Sequence, residues 1–204
     1  MEKLSALLRT ASMSDHKEAE NVHFITHLMK GELSARHYTE YLNQLAFVYQ
    51  ALERELPEGE ELPFHAGLKR FDRIVSDLES LGVEDFNQTP VLKATATYVG
   101  RLNELGPDDF RYVAHHYTRY LGDLSGGQAI GALMQRHYNL EANQVSFYDF
   151  SNLGDPVPIK VAYREALDNL ELTASQSNEL VEEVKLSFKL NTKLFQELGQ
   201  LELI

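Results

Sequence analysis

The segment Arg119-Tyr120-Leu121-Gly122-Asp123-Leu124-Ser125-Gly126-Gly127-Gln128-Ala129-Ile130-Gly131 carries four of the chain's twelve glycines inside what otherwise scans as helix. Each glycine in a helix interior costs roughly 0.5–1 kcal/mol relative to alanine, so a run of them needs a compensating reason. Gly122 and Gly126 are one turn apart, as are Gly127 and Gly131. The missing side chains bare a strip of backbone on which something wide and flat can lie. Arg119 and Asp123, two turns and one turn before Gly127, bring charge to the same side. Close helix–helix packing is the alternative, and glycine spacing alone does not choose between the two.

Outward from this segment the chain reads as helix after helix, with no hairpin signal. A first helical stretch is expected from about Glu2 through the Asp15–Leu28 region, closing at Gly31. A second follows Ser34, with Tyr38, Tyr41, Leu42, Leu45, Tyr49, Leu52 and Leu56 on one stripe, until Pro57 stops it. Pro57–Pro63 reads as a charged loop and Leu68–Leu81 as a helix ending at Gly82. Thr89-Pro90 looks like a cap with proline at the first helical position, ending at Gly106. Pro107 opens the glycine-bearing helix, which continues to about His137. Asn139–Pro158 is irregular, Pro158–Leu170 helical, and Thr173-Ala174-Ser175-Gln176 resembles a capping box for a final helix to Leu198. The expected fold is all-α, one helical bundle forming a single domain over residues 1–204.

Bulk composition bounds the function. Nineteen Lys and Arg against thirty-one Asp and Glu give a net charge of −12, which argues against nucleic-acid binding, since that needs a basic face. No apolar run approaches the roughly 20 residues of a membrane span, no basic-then-apolar leader follows Met1, and the tail to Ile204 is too short for an anchor. The chain has no cysteine, hence no thiolate site or nucleophile. A cytoplasmic monomer is the expectation.

Three further patterns bear on chemistry. His16 has Leu8, Ser12 and Ala19 near its face and Glu20 four residues on, whose carboxylate can accept from Nδ1 and leave Nε2 for a metal. A helix-surface ion pair is the alternative. On the last helix Val181, Val184, Phe188, Asn191, Phe195 and Leu198 advance by threes and fours, which puts a polar Asn191 in a buried seam. Such an amide either sets helix register or joins Tyr49, Arg119 and Asp123 in a buried hydrogen-bond network. Arg9, Lys160 and Arg164, with Tyr163 beside them, are scattered bases that could hold ligand carboxylates or be ordinary solvated charge. Glu20-x-x-His23 and the His23/His27 pair lack the second motif or third ligand that a di-iron or zinc site needs. His115 and His116 point in different directions, so at most one joins any site.

Together, Asp15–Asn21, Phe47–Glu53, Val113–Gln128 and Ser187–Leu198 closely resemble the haem oxygenase family, over nearly the whole chain. The resemblance implies that haem, iron protoporphyrin IX, is both substrate and oxygen-activating cofactor. It lies between the first helix and the glycine-rich distal helix, with His16 as the iron ligand tuned by Glu20. Dioxygen and external electrons then open the ring to biliverdin, carbon monoxide and ferrous iron. The resemblance gives Asp123, Arg119, Tyr49 and Asn191 an ordered water that donates a proton to iron-bound oxygen, with Gly122 and Gly126 completing the catalytic set. It places Gly127, Ser125, Phe188 and Phe195 around the haem, and Arg9, Tyr117, Lys160 and Arg164 at its propionates. Some relatives carry a base where this chain has Met13. The implied partner is an electron donor such as a ferredoxin or a flavin-containing NAD(P)H reductase. A haem carrier or sensor of the same fold, without turnover, is the alternative.

Overall fold

The structure is a computed structural model that describes residues 3–54, 56 and 59–202. Among these it is all-α, with no strand. The helices are α1 (Leu4–Glu20), α2 (His23–Lys30), α3 (Ala35–Glu53), α4 (Phe71–Ser80), α5 (Lys93–Leu105), α6 (Tyr112–His116), α7 (Gly122–Tyr138), α8 (Pro156–Asp168) and α9 (Ala174–Leu198). A π-helical turn, Tyr117–Leu121, joins α6 to α7 without leaving helical backbone, since both Tyr117 and Gly122 are right-handed. The expected helix start at Glu2 and stop at Pro57 lie outside the described residues.

Several boundaries differ from the sequence reading for local reasons. The first stretch breaks at Asn21–Val22, because Val22 is extended and caps α2. Leu68–Leu81 divides into a 3-10 turn at Ala66–Leu68 and α4, since Lys69 is extended. Thr89-Pro90 does not open α5; Thr89 stays extended and Leu92 takes the cap. The glycine-bearing rod begins at Tyr112, not Pro107, because the Asp109 carboxylate closes a turn on the Arg111 amide at 2.9 Å. Asp155 accepts from the Val157 amide and starts α8 at Pro156. The capping box at Thr173 forms as read, and Ser34 closes another with His37 at the start of α3.

α9 is the longest helix and the central support, with α1, α5 and α6 packed along it, while α3 packs on α4 and α5. α7 lies against α2, α8 and a 3-10 turn at Ser146–Tyr148. That turn is pinned by two buried charges. The Asp77 carboxylate accepts from the Ser146 amide (2.9 Å), the Ser146 hydroxyl (2.6 Å) and the Phe147 amide (2.8 Å). The Arg70 guanidinium donates to the carbonyls of Gly67, Leu68, Lys69 and Asp149 and stacks on Phe150 at 3.9 Å. Converging carbonyl dipoles replace water around a cation that is 1% exposed.

The turn's Tyr148 is the floor beneath α7. A Cβ on Gly131 would stand 3.2 Å from the Tyr148 Cβ, and one on Gly127 would stand 3.4 Å from its ring. The four glycines therefore do not form one strip. Five residues separate Gly122 from Gly127, which turns them about 140° apart on a helix. Gly127 and Gly131 face Tyr148, while a Cβ on Gly122 would meet nothing within 4 Å and one on Gly126 only Ile130, at 3.7 Å. Close packing explains one pair and leaves the other unexplained by the protein's own contacts.

This division predicts opposite stability effects. Gly131→Val should cost about 1–3 kcal/mol by overpacking against Tyr148, whereas Gly122→Ala should stabilise the haem-free protein by about 0.5–1 kcal/mol. Urea unfolding followed by circular dichroism measures both, and loss of stability in Gly122→Ala would overturn the claim that its side is open.

Candidate active site

Two surfaces carry the chemistry. On α1, His16 is about half exposed, and its Nδ1 stands 3.3 Å from the Glu20 carboxylate. Its ring meets Phe188 of α9 edge-on, with centroids 5.4 Å apart. With Nδ1 engaged by Glu20 and one flank against Phe188, Nε2 is the nitrogen available to a ligand. Leu8, Ser12 and Ala19 are buried on this helix, so α1 is fixed to the core while the imidazole remains accessible.

On the distal rod, the π turn Tyr117–Leu121 is buried throughout and turns Arg119 into the core. π turns are rare and concentrate at functional positions. Arg119 donates through Nη1 to the Asn191 Oδ1 at 2.7 Å and through Nε to the Tyr49 hydroxyl at 3.1 Å. Tyr49 in turn donates to the Asp123 carboxylate. The four residues expected to share a network thus touch directly, drawn from α3, the distal rod and α9. Burial opposes the Arg119 charge, but Tyr49 and Asp123 outweigh it and hold the group protonated. Burial pushes the Asp123 carboxyl above its usual value, against the pull of Arg119 and the Tyr49 hydrogen bond.

Asn191 does more than set register: its Nδ2 donates to the Ser187 carbonyl at 3.0 Å. Beyond it lies a set the sequence reading missed. The Ser187 and Tyr98 hydroxyls are 3.0 Å apart, and His115 Nε2 reaches Glu183 at 2.9 Å. Arg101 binds that carboxylate with two nitrogens, at 2.9 and 2.5 Å. Burial pushes the Glu183 carboxyl up, but Arg101 and His115 overcome this and hold it down at about 2. The signal was present in Glu183, an acid on the seam side of α9 beside Val184 and Ser187. His116 turns the other way and meets the Tyr163 hydroxyl at 2.7 Å, so Tyr163 is a core residue and does not accompany Lys160 and Arg164.

The remaining expected residues divide. Ser125 is exposed on α7 beside Gly126. Arg9 is exposed, Lys160 and Arg164 half-buried, and Arg9 and Arg164 both act electrostatically on the buried Tyr117 hydroxyl. Arg9, Arg164 and Tyr117 therefore lie near one another. Phe195 is buried edge-on to Tyr41, centroids 5.9 Å apart, which makes it support for the site's wall. Gly127, as shown above, turns its bare side to Tyr148. His23 and His27 stack at 3.7 Å and His27 pairs with Glu32, but no metal-binding group of three or more such residues occurs among the described ones. A surface groove of about 410 Å³ at Arg111, Glu179 and Glu183 is acidic and shares no residue with the His16 surface.

Two buried polar atoms, the Asn43 Oδ1 and the Tyr148 hydroxyl, lack a well-directed protein hydrogen bond, although the Tyr148 hydroxyl interacts with those of Tyr38 and Tyr41.

The comparisons agree with this architecture. The family model described as Heme oxygenase matches residues 2–197. A "Heme oxygenase" of Guillardia theta is 32% identical, over 96% of this chain and 86% of the relative. "Heme oxygenase 1" of Bos taurus is 35% identical, over 96% of this chain and 71% of the relative. The haem complex of heme oxygenase-1 from Synechocystis superposes with a TM-score of 0.89 at 31% identity, covering 97% of this chain and 92% of the other. The heme oxygenase from Leptospira interrogans gives 0.89 at 33% identity, covering 96% and 100%. An exposed imidazole on α1, a distal helix bared at Gly122 and Gly126, and these likenesses across nearly the full length place the chain in the haem oxygenase family.

Proposed function

We propose that the chain binds haem as its substrate between α1 and α7 and cleaves it, with dioxygen and external electrons, to biliverdin, carbon monoxide and ferrous iron. The observation that carries this reading is Gly122: an exposed helical glycine that costs stability and relieves no contact within the protein. A porphyrin face is the flat partner its bare backbone suits, and His16 supplies the matching imidazole. Haem, when bound, supplies the iron centre at which dioxygen is reduced.

The chain's own residues then divide the work. His16 Nε2 would hold the iron, and Glu20 at Nδ1 fixes the ring and its tautomer. Gly122, Ser125 and Gly126 let the distal backbone approach the ring closely, and the helix shields one approach to it. Asp123 lies one residue past Gly122, with a carboxyl whose pKa burial has raised. It can hold and pass on a proton through water, while Tyr49, Arg119 and Asn191 fix its orientation. Phe188 flanks the imidazole. Arg9, Tyr117, Lys160 and Arg164 orient the propionates, with Met13, exposed on α1, adding no charge there. The distal carboxyl and its buried supports favour turnover over mere carriage of haem.

We further propose that the chain acts as a single-domain cytoplasmic monomer. No helix among the described residues is long and apolar enough to cross a membrane. Its electron donor, an acidic ferredoxin or a flavin-containing reductase, would dock near the exposed haem edge on a local basic patch.

Three outcomes are expected. His16→Ala loses the ligand field of the native complex, so an unchanged ferric absorption spectrum would defeat the assignment. Asp123→Ala still takes up haem, but its biliverdin yield falls about a hundredfold or more; normal yield refutes the carboxyl's role. Donor-supported turnover declines as ionic strength rises past roughly 0.1 M, where the Debye length is about 10 Å. Insensitivity to salt in a stopped-flow assay argues against electrostatic docking.

A further inference from the structure

The bare face of α7 has an end. Gly122 and Gly126 leave open backbone, but the row they begin continues at one-turn spacing to Ile130. Ile130 stands eight residues past Gly122, about 80° round the helix and about 12 Å along it. Side chains on a helix lean toward its N-terminus, and this one does so: its Cδ1 comes within 3.7 Å of the place a Gly126 Cβ would take. Leu133 follows on the same face, three residues farther on. Both are half-buried and packed against the core, so they are held in place while part of each stays uncovered. The face therefore passes from no side chain to a branched four-carbon one within a single turn. β-branching leaves Ile130 few rotamers in a helix, which makes the step stiff. A flat pigment lying on Gly122 and Gly126 meets it at its rim. Charge at the propionates orients the pigment's polar edge, but does not fix how far the ring reaches along α7. A stiff apolar step does.

We propose that Ile130 is a positioning residue that stops the haem rim at the C-terminal end of the bare strip and so determines which meso carbon is presented for opening. This rests on the reading that haem lies between α1 and α7.

In the ferric complex with cyanide ion, proton NMR reports how the ring is seated, because its four methyls shift according to their orientation to the His16 imidazole. Ile130→Val removes the one methyl nearest Gly126, and Ile130→Ala removes the step. The ratio of a second set of methyl signals to the main set should rise about fourfold in Ile130→Val, the worth of one CH₂ contact. It should rise further in Ile130→Ala. Biliverdin released with ascorbate as reductant should contain a second meso isomer in the same order. Met134→Ala opens a cavity at a fully buried position of α7; it should lower the urea midpoint and leave the ratio alone. An equal rise in Met134→Ala, or none in Ile130→Ala, overturns the proposal. Where Ile130→Ala does not fold, an unchanged ratio in Ile130→Val does so. Wild-type protein that takes up no haem overturns the underlying reading as well, whereas haem uptake with an unmoved ratio removes the role of Ile130 alone.

Discussion

A guanidinium buried in the middle of the bundle is the constraint around which the site is arranged. Arg119 is 7% exposed and makes no salt bridge among the described residues; its charge is met by the Tyr49 hydroxyl, the Asn191 amide oxygen and the nearby Asp123. Removing a charge from water is costly unless every donor finds a partner. Three helices must therefore arrive in register at once: α3 with Tyr49, α9 with Asn191 and the distal rod with Arg119. The same requirement aims Asp123, because its carboxylate accepts from the tyrosine that serves the arginine. Fold specificity and placement of the reactive carboxyl thus share one set of hydrogen bonds.

A second layer holds the first in place. Glu53 accepts from the backbone amides of Arg70 and Phe71 and from the Tyr120 hydroxyl, joining the end of α3 to the distal rod and to the start of α4. Asp77 and Arg70 do the same for the turn that carries Tyr148. On the far side, Glu183 collects His115 and Arg101. Each buried charge gathers backbone or side-chain groups from segments far apart in sequence. Position across the bundle is set by polar satisfaction as well as by apolar burial.

Much of this was legible in the sequence, and what was not has a physical cause. His16–Glu20 is an i,i+4 pair on one helix, and local geometry makes such pairs readable. The network was readable because Tyr49 and Asn191 are polar on otherwise apolar stripes, while Arg119 and Asp123 bring charge to the glycine strip. The function of the glycines was only half readable. Spacing reveals that a backbone face is bare, but not what it faces, and Gly127 and Gly131 turned out to face Tyr148. The Ser146–Tyr148 turn lies in an aperiodic loop and is held by Asp77, 69 residues away from Ser146, so no local pattern could announce it. The helix starts at Tyr112 and Leu92 were missed for a related reason: turns capped by Asp109 and an extended Thr89 compete with proline as an opening signal.

The π turn at Tyr117–Leu121 has a consequence for how the distal rod tolerates change. An i→i+5 turn absorbs one surplus residue while the helix on either side keeps its own phase. The His115 and His116 end can therefore stay locked to α9 and α8 while the Gly127 and Gly131 end stays seated on Tyr148. Anchorage at one end and clearance over the substrate at the other become separately adjustable, with the rotational mismatch between them confined to a single wide turn.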